Sequence, residues 1–135
     1  MIIGYAYVVG DILHFGHIQH LKNCKALCDK LIVGVLTDEA CTEKKPKPII
    51  PFRERLELVS ELKSVNAVVT QKEYSPAKNI KSIRPNILFE SDSHSEEILN
   101  SSKNWVELYK GRMIVMPYFP LQSSTKIKEK IRDKS

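Results

Sequence analysis

Two histidines three positions apart, with a glycine between them, are the residues of this sequence best suited to chemistry. His14, Gly16 and His17 stand between a continuously apolar segment, residues 2–9, and an amphipathic segment, residues 16–29. Where a strand is followed directly by a helix, free backbone N–H groups and the positive end of the helix dipole lie at one point, which favours an anion. Gly16 allows such a ligand to approach the backbone closely. The pattern predicts a site for a phosphate or a similar anion.

The flanking segments indicate which elements position these histidines. Residues 2–9 are too continuously apolar for a half-exposed strand and are typical of a central parallel strand covered on both faces. Leu21, Cys24 and Cys28 recur at helical spacing after the histidines, and residues 31–36 form a second apolar run. The order strand, helix, strand predicts a right-handed crossover and a parallel sheet.

The rest of the chain continues the alternation of strands and helices. Prolines and lysines in residues 42–51 predict a surface loop, and Pro51 suits the first turn of the next helix. We predict helices over residues 51–63, 76–82 and 96–109, the last with Ile98, Trp105 and Leu108 toward the core, and a final helix from Ser123. Further strands are predicted over residues 67–70, 86–90 and 112–116. Residues 1–135 are therefore predicted to form one α/β domain with a Rossmann-like, doubly wound sheet of about five parallel strands.

Polar side chains follow the predicted strands at their carboxyl ends, where a doubly wound sheet binds its ligands. They are Asp11, His14 and His17 after the first strand, Asp38 after the second, Asp92 and His94 after the fourth, and Gln122, Ser123, Ser124 and Thr125 after the fifth. Because these strand ends share one edge of the sheet, we expect the side chains to form a common binding site.

Composition limits the class of protein and of ligand. The chain has 135 residues, 42% of them hydrophobic, and a net charge of +5. Lysines cluster in residues 44–47 and 126–134, which favours an anionic partner, and no aromatic residues are interleaved with them as in proteins that stack single-stranded nucleic acid. The apolar runs are too short to span a bilayer, no secretory leader is recognisable, and an odd number of cysteines favours a reducing compartment. We expect a cytoplasmic protein that binds small anions, without nucleic-acid binding or membrane insertion.

Four short motifs resemble those of the cytidylyltransferases, which belong to the nucleotidyltransferase superfamily. Residues 14–17 match the His-x-Gly-His signature of that superfamily, with Asp11 three residues ahead. Residues 36–39 resemble the Ser-Thr-Asp-Glu that follows the family's second strand, residues 52–55 its Tyr-x-x-Arg, and residues 123–127 its C-terminal Ser/Thr signature. In the order and the coverage of these motifs, the chain resembles the glycerol-3-phosphate cytidylyltransferase group.

The resemblance implies roles for individual residues. The catalytic residues, which contact the phosphates in that family, are expected to be His14, His17, Lys44 and Arg55. The nucleotide-binding residues are expected to be Val9, Gly10, Asp11, Gly16, Asp92, Ser123, Ser124 and Thr125. The substrate-binding residues are expected to be Asp38, His94, Tyr118 and Gln122.

The resemblance also implies the reaction and its cofactor. CMP is transferred from CTP to a small phosphorylated or phosphonate acceptor, pyrophosphate is released, and the enzyme is a homodimer. The acceptor is already an anion at neutral pH, so catalysis rests on alignment and on stabilising the charge of the α-phosphoryl group and the pyrophosphate. Mg²⁺ is expected on the nucleotide phosphates with few protein ligands, and Asp11 and Asp38 are the nearest carboxylates.

Departures from the family pattern bear on the acceptor. Residues 91–94 read Ser-Asp-Ser-His where the family has Gly-Asp-Asp-Trp, and residues 118–121 lack the family's arginine and glycine. Residues 7–17, 33–38 and 71–76 are more similar to the nucleotidyltransferase domains joined to phosphoenolpyruvate mutases. That similarity favours a phosphonate acceptor over glycerol phosphate, with phosphocholine and phosphoethanolamine as alternatives.

Three other interpretations remain open from the sequence. ATP-using members of the superfamily carry the same His-x-Gly-His signature, so adenylyl transfer is the alternative within the enzyme class. His20, Cys24 and Cys28 lie four residues apart and, with His17, have types and spacing suited to zinc, although the cysteines also fit the buried stripe of the helix. A basic domain that binds nucleic acid without turnover is the third interpretation.

Overall fold

The computed structural model describes residues 1–117 and 128–132. Its strands are β1 (Ile3–Val8), β2 (Lys30–Leu36), β3 (Ala67–Gln71), β4 (Ile87–Ser91) and β5 (Arg112–Met116). Its helices are α1 (Phe15–Lys25), α2 (Asp38–Thr42), α3 (Phe52–Ser60), α4 (Ala77–Ile83) and α5 (Glu96–Leu108), and residues 128–132 are also helical.

The five strands form one parallel sheet in the order β3-β2-β1-β4-β5, with β1 at its centre. Successive residues of the inner strands point to opposite faces. Ala6 and Phe89 pack in the core beneath α1 and α3, whereas Tyr5 and Leu88 pack against α4 and α5. Both faces of the sheet are therefore covered, which explains the continuous apolar character of β1. The predicted doubly wound α/β fold is confirmed.

Details of three predicted elements are corrected by the structure. A short helix, α2, begins at Asp38, capped by the Thr37 hydroxyl, and reaches into the segment predicted as loop. The first helix ends at Lys25 rather than near residue 29. In α5 the buried positions are Ser102 and Val106, one helical turn apart, so Leu108 is turned outward and is 65% exposed. Trp105 is likewise exposed.

Gly10 completes the turn from β1 toward the histidines. Its φ is +71°, in the left-handed region that L side chains rarely adopt, and an added Cβ would lie 3.2 Å from Val59 Cγ2. A glycine at this position therefore lets β1 end and the chain turn sharply into residues 11–14. Among the described residues, no helix is long and apolar enough to cross a membrane.

Candidate active site

A cavity of about 790 Å³ opens at the carboxyl ends of β1 and β4. One side, the β1 wall, consists of Asp11, His14, Gly16 and His17. The facing side, the β4 wall, consists of Glu90, Ser91, Ser93 and His94. Cations from two other segments, the cationic rim, complete the lining: Lys45, Lys47, Lys128 and Arg132. The structure thus brings His14, His17, Asp11, Gly16 and His94 together, along with Val9 and Gly10.

His14 and His17 form the start of helix α1 and hold each other in place. His14 is the N-cap residue, and its Nδ1 accepts a hydrogen bond of 3.0 Å from the Gly16 N–H. His17 Nδ1 lies 3.4 Å from the His14 N–H and accepts from it. The two ring centroids are 4.2 Å apart. The pair is a reciprocal capping box built from histidines. The backbone N–H groups of His14 and Gly16, which we expected to bind an anion, therefore donate to the two imidazole rings instead.

These contacts determine which ring atoms face a ligand. Because each Nδ1 accepts a backbone N–H, the proton of the neutral ring is assigned to Nε2. Burial, together with the charges of His14, His20 and Lys45, lowers the pKa of His17 to about 4. Burial also lowers the pKa of His14. At neutral pH the β1 wall therefore presents two neutral imidazoles, each with an Nε2–H available as a donor.

Asp11 supports the β1 wall, and both of its carboxylate oxygens are bonded within the protein. It is 4% exposed, and its Oδ1 accepts from the Ile49 N–H at 2.9 Å and from the Ile50 N–H at 2.8 Å. Its Oδ2 pairs with Lys128. Burial alone would raise the pKa of this carboxyl, but the hydrogen bonds from Ile50, Lys128 and Ile49 outweigh it and lower the pKa. Asp11 therefore fastens three segments of the chain at the edge of the cavity.

Arg55 lies beneath the cavity, fully buried. Its Nε donates to the Ile50 carbonyl at 2.9 Å, and its Nη1 donates to the carbonyls of Val9 and Leu36 at 2.6 and 2.7 Å. Its Nη2 forms a 2.6 Å ion pair with Asp38. The guanidinium thus binds the ends of β1 and β2 together. Arg55 and Asp38 do not line the cavity, so the structure separates them from the ligand-facing residues with which the sequence grouped them.

The lysine that faces the cavity differs from the one expected. Lys45 and Lys47 line it, whereas Lys44 does not. Three lysines within four positions of an irregular loop give no sequence signal that separates them. Lys128 and Arg132 were also missed as individual residues, although the lysine-rich C-terminal segment indicated a surface for an anionic partner.

The β4 wall contains residues that the sequence interpretation overlooked. His94 Nδ1 lies 2.9 Å from Glu90 Oε1, and the Tyr7 hydroxyl lies 2.8 Å from both oxygens of Glu90. Glu90 is 1% exposed. The signal for it was present in the sequence, because a carboxylate in an otherwise apolar strand needs a buried partner.

Several candidate residues are not placed in the cavity. The backbone N–H of Asp92 donates to the Met116 carbonyl at 3.0 Å, which fixes the end of β4 against β5, and Asp92 does not line the cavity. The remaining candidates lie outside the described residues: Tyr118, Gln122, Ser123, Ser124 and Thr125.

The zinc interpretation gains no support from residues 1–117 and 128–132. Within them, no group of three or more His, Cys, Asp or Glu side chains is placed to hold a metal ion. Cys24 is fully buried, with its Sγ 3.9 Å from His20 Nε2, and belongs to the hydrophobic core. Burial raises the pKa of Cys24 to about 12, so the thiol of the free protein is protonated at neutral pH.

Comparison with known proteins gives a consistent match over most of the chain. Residues 10–130 match the family model described as cytidylyltransferase-like. The bifunctional protein HldE of Salmonella arizonae is 35% identical over 130 residues, and HldE of Salmonella newport gives the same value. The match covers 94% of this chain and 27% of each HldE, so the chain spans about a quarter of the length of these relatives.

Solved structures agree with this match. The lipopolysaccharide core biosynthesis protein from Thermoplasma volcanium has a TM-score of 0.76 and 30% identity, covering 88% of this chain and 97% of that one. TmcAL from Thermotoga maritima, solved with alpha-thio ATP, has a TM-score of 0.71 at 14% identity, covering 99% of this chain and 51% of that one. The second likeness concerns the fold alone.

Proposed function

The chain belongs to the cytidylyltransferase-like family of nucleotidyltransferases, and we propose that it transfers a nucleoside monophosphate to a small phosphorylated or phosphonate acceptor. The observation that carries the proposal is the convergence of His14, His17 and four cations on one cavity. The N–H donors and cations of this cavity suit a triphosphate, because no exposed carboxylate among the described lining residues lies beside them to repel it. The volume of about 790 Å³ is in the range of sites that enclose a small-molecule substrate.

In the proposed reaction, an oxygen of the acceptor's phosphate or phosphonate attacks the α-phosphorus of the nucleotide. A new P–O bond forms there, the bond to the β-phosphate oxygen breaks, and pyrophosphate leaves with the bonding electron pair. The acceptor oxygen is already anionic, so no residue has to remove a proton from it. The Nε2–H groups of His14 and His17 donate to phosphoryl oxygens whose negative charge grows during the step.

The cationic rim binds the leaving pyrophosphate in this proposal. Lys45 and Lys47 lie on the segment that Asp11 holds through Ile49 and Ile50, and Lys128 lies on the helical segment held by Asp11 itself. One buried carboxylate therefore fixes both segments that carry the cations. Arg55 positions the β1 wall from below by joining the ends of β1 and β2.

Mg²⁺ is proposed to enter on the nucleotide. Both oxygens of Asp11 are engaged, Asp38 pairs with Arg55, and the Glu90 carboxylate accepts from Tyr7 and His94. Because these carboxylates already have partners within the protein, they fit an ion that keeps most of its waters and binds chiefly to phosphate oxygens. When bound, Mg²⁺ neutralises triphosphate charge.

We propose CTP as the donor, on the family description and the resemblance of the motifs, with ATP as the alternative to be tested. For the acceptor, phosphonates and phosphoalcohols follow from the same resemblance. Sugar phosphates join them because the Thermoplasma relative is named for lipopolysaccharide core biosynthesis. A homodimer in the cytoplasm completes the proposal, and light scattering on the purified protein measures the dimer.

Phosphorus NMR tests donor and acceptor together. The protein is incubated with Mg²⁺, CTP or ATP, and one of these acceptors: 2-aminoethylphosphonate, 2-hydroxyethylphosphonate, glycerol 3-phosphate, phosphocholine, phosphoethanolamine or a sugar 1-phosphate. We expect free pyrophosphate and a new pair of coupled signals with one combination. Coupled signals with ATP and none with CTP would replace cytidylyl by adenylyl transfer. No product with any combination would contradict nucleotidyl transfer to this class of acceptor.

A further inference from the structure

We propose that Glu90 and Tyr7 are positioning residues that fix the ring of His94, and that His94 Nε2 binds a hydroxyl group of the substrate. The identity of that substrate rests on the proposed function. The arrangement of the three side chains does not, because it is a property of the free protein and is measurable without turnover.

The first step of the argument is the position of Glu90. It is the next-to-last residue of β4, and its side chain is fully buried. A carboxylate at such a place is costly unless its oxygens receive hydrogen bonds. The Tyr7 hydroxyl donates to Oε1 and Oε2 at 2.8 Å each, and His94 lies 2.9 Å from Oε1. These three contacts compensate the carboxylate, and both residues that make them, Tyr7 and His94, line the cavity.

Toward Glu90, the Tyr7 hydroxyl is the donor. Burial, followed by the charge of Glu90, raises the pKa of Tyr7, so the hydroxyl keeps its proton. The remaining acceptor capacity of Glu90 Oε1 is directed at His94 Nδ1, which must carry a proton to bond to it. The carboxylate thus fixes the Nδ1–H form of the ring.

The second step concerns the opposite edge of that ring. With Nδ1 turned to Glu90, Nε2 is the ring nitrogen left for a ligand. The ring stacks on Tyr7 with centroids 6.0 Å apart and lies 6.3 Å from the ring of Tyr74. The side chain is 19% exposed and lines the cavity. His94 is therefore held on one edge and on its faces, and accessible on the other edge.

The third step is the chemistry of the β4 wall. Its other polar side chains are the hydroxyls of Ser91 and Ser93, 2.8 Å apart. The lysines and the arginine that line the cavity within the described ranges all lie on other segments. A wall with a carboxylate behind its histidine and no cation of its own suits a neutral polar group better than a phosphate. A hydroxyl fits His94 in either protonation state, because it donates to a bare Nε2 and accepts from an Nε2–H.

Two sources supply such a hydroxyl: the ribose of the nucleotide and the acceptor molecule. Both present the same chemistry to His94. Kinetic experiments distinguish them, because removal of a contact to one substrate raises the KM of that substrate.

The ring arrangement is tested first, on the full chain without substrate. Long-range ¹H–¹⁵N spectra of histidine-labelled protein report which nitrogen of each ring is protonated. We expect a protonated Nδ1 in His94 and bare Nδ1 atoms in His14 and His17. In Glu90→Gln, the preference of His94 for the Nδ1–H form should be lost. A bare Nδ1 in His94 of the wild-type protein would overturn the proposal.

The functional step is tested with Glu90→Gln, Tyr7→Phe, His94→Ala and the double variant Glu90→Gln/His94→Ala. We expect each single change to raise the KM of one substrate by about tenfold, with a much smaller change in kcat. The double variant should match His94→Ala alone, because Glu90 acts through that ring. Additive effects in the double variant would overturn the positioning role and leave Glu90 as a packing residue.

Glu73→Gln is the matched control. It makes the same chemical change in an exposed ion pair, with Lys78, away from the cavity. A raised acceptor KM assigns the hydroxyl to the acceptor. A nucleotide KM that is raised in the variants, with the difference from the wild type lost when a 2′- or 3′-deoxynucleotide is the substrate, assigns the hydroxyl to the ribose. Unchanged KM values for both substrates overturn the hydroxyl contact. Absence of turnover in the wild type would contradict the proposed function alone, and the histidine spectra would still decide on the ring arrangement.

Discussion

The two walls of the cavity hold histidine by opposite means. In the β1 wall, His14 and His17 use Nδ1 to accept backbone N–H groups, and the N-terminus of α1 fixes both rings. In the β4 wall, His94 turns Nδ1 toward the buried carboxylate of Glu90. The first arrangement presents donors, and the Asp11 carboxylate of that wall is paired with Lys128. The second places a carboxylate behind the ring.

This difference is the basis for proposing a different ligand group at each wall. Neutral Nε2–H donors beside Lys45 and Lys47 match phosphoryl oxygens. A carboxylate-backed ring beside two serine hydroxyls matches a hydroxyl. In this proposal the phosphates bind at one wall of the cavity and a neutral hydroxyl binds at the other. Histidine serves at both walls because its Nδ1 is hydrogen-bonded differently in each.

The largest expected effect comes from removing the support of the β1 wall. Arg55→Met leaves the carbonyls of Val9 and Leu36 and the carboxylate of Asp38 without their buried partner. We expect the free energy of unfolding to fall by about 3–5 kcal/mol. Urea denaturation measures it, and Arg53→Met, an exposed arginine on the same helix, is the matched control. Unchanged stability with lost nucleotide binding would instead assign the Arg55 guanidinium to the ligand, as the family resemblance implied.

The next largest effect separates capping from catalysis at His14. Asparagine is a good N-cap residue and lacks the imidazole Nε2–H, whereas alanine lacks both functions. We expect His14→Asn and His14→Ala to lose similar turnover, on the order of 2 to 4 kcal/mol in the transition state. Only His14→Ala should also lose about 1 kcal/mol of unfolding free energy. Steady-state rates and thermal melts of the two variants provide the measurement, and wild-type rates in both would remove His14 from the catalytic site.

Sequence reasoning reached the fold because the signals were local and repeated. The apolar strands and their alternation with helices agree with the observed parallel sheet. It also brought His14, His17 and His94 to one cavity. It could not tell Lys44 from Lys45, because loop geometry decides that choice. Nor could it predict that the Arg55 guanidinium donates to the carbonyls of Val9 and Leu36, at the ends of two strands, because those contacts span as many as 46 positions of sequence.

A pH-dependent effect distinguishes His17 within the β1 wall. Its pKa is lowered from 6.5 to about 4, so the unfolded chain binds a proton in this interval that the folded chain does not. The stabilising contribution is complete above about pH 6.5 and is lost as the pH falls toward 4. Between pH 7 and 4.5 we expect a loss of about 2 to 3 kcal/mol from this residue. Urea denaturation at both values should show a smaller loss in His17→Gln, and an equal loss would contradict the assignment.

The smallest expected effect lies in the loop that carries Lys45 and Lys47, where Lys45 lines the cavity and Lys44 does not. Lys45→Ala should raise the KM of the nucleotide by about tenfold at low salt, and by less as salt screens the remaining charges. Lys44→Ala should change it less than about twofold, as expected for an exposed surface charge. The charge of Lys45 is also one of the causes that lower the pKa of His17, so its removal should raise that pKa, which histidine NMR titration measures. A larger KM effect at Lys44, with no change in His17, would mean that the loop rearranges around the nucleotide and that the cationic rim is completed only by the ligand.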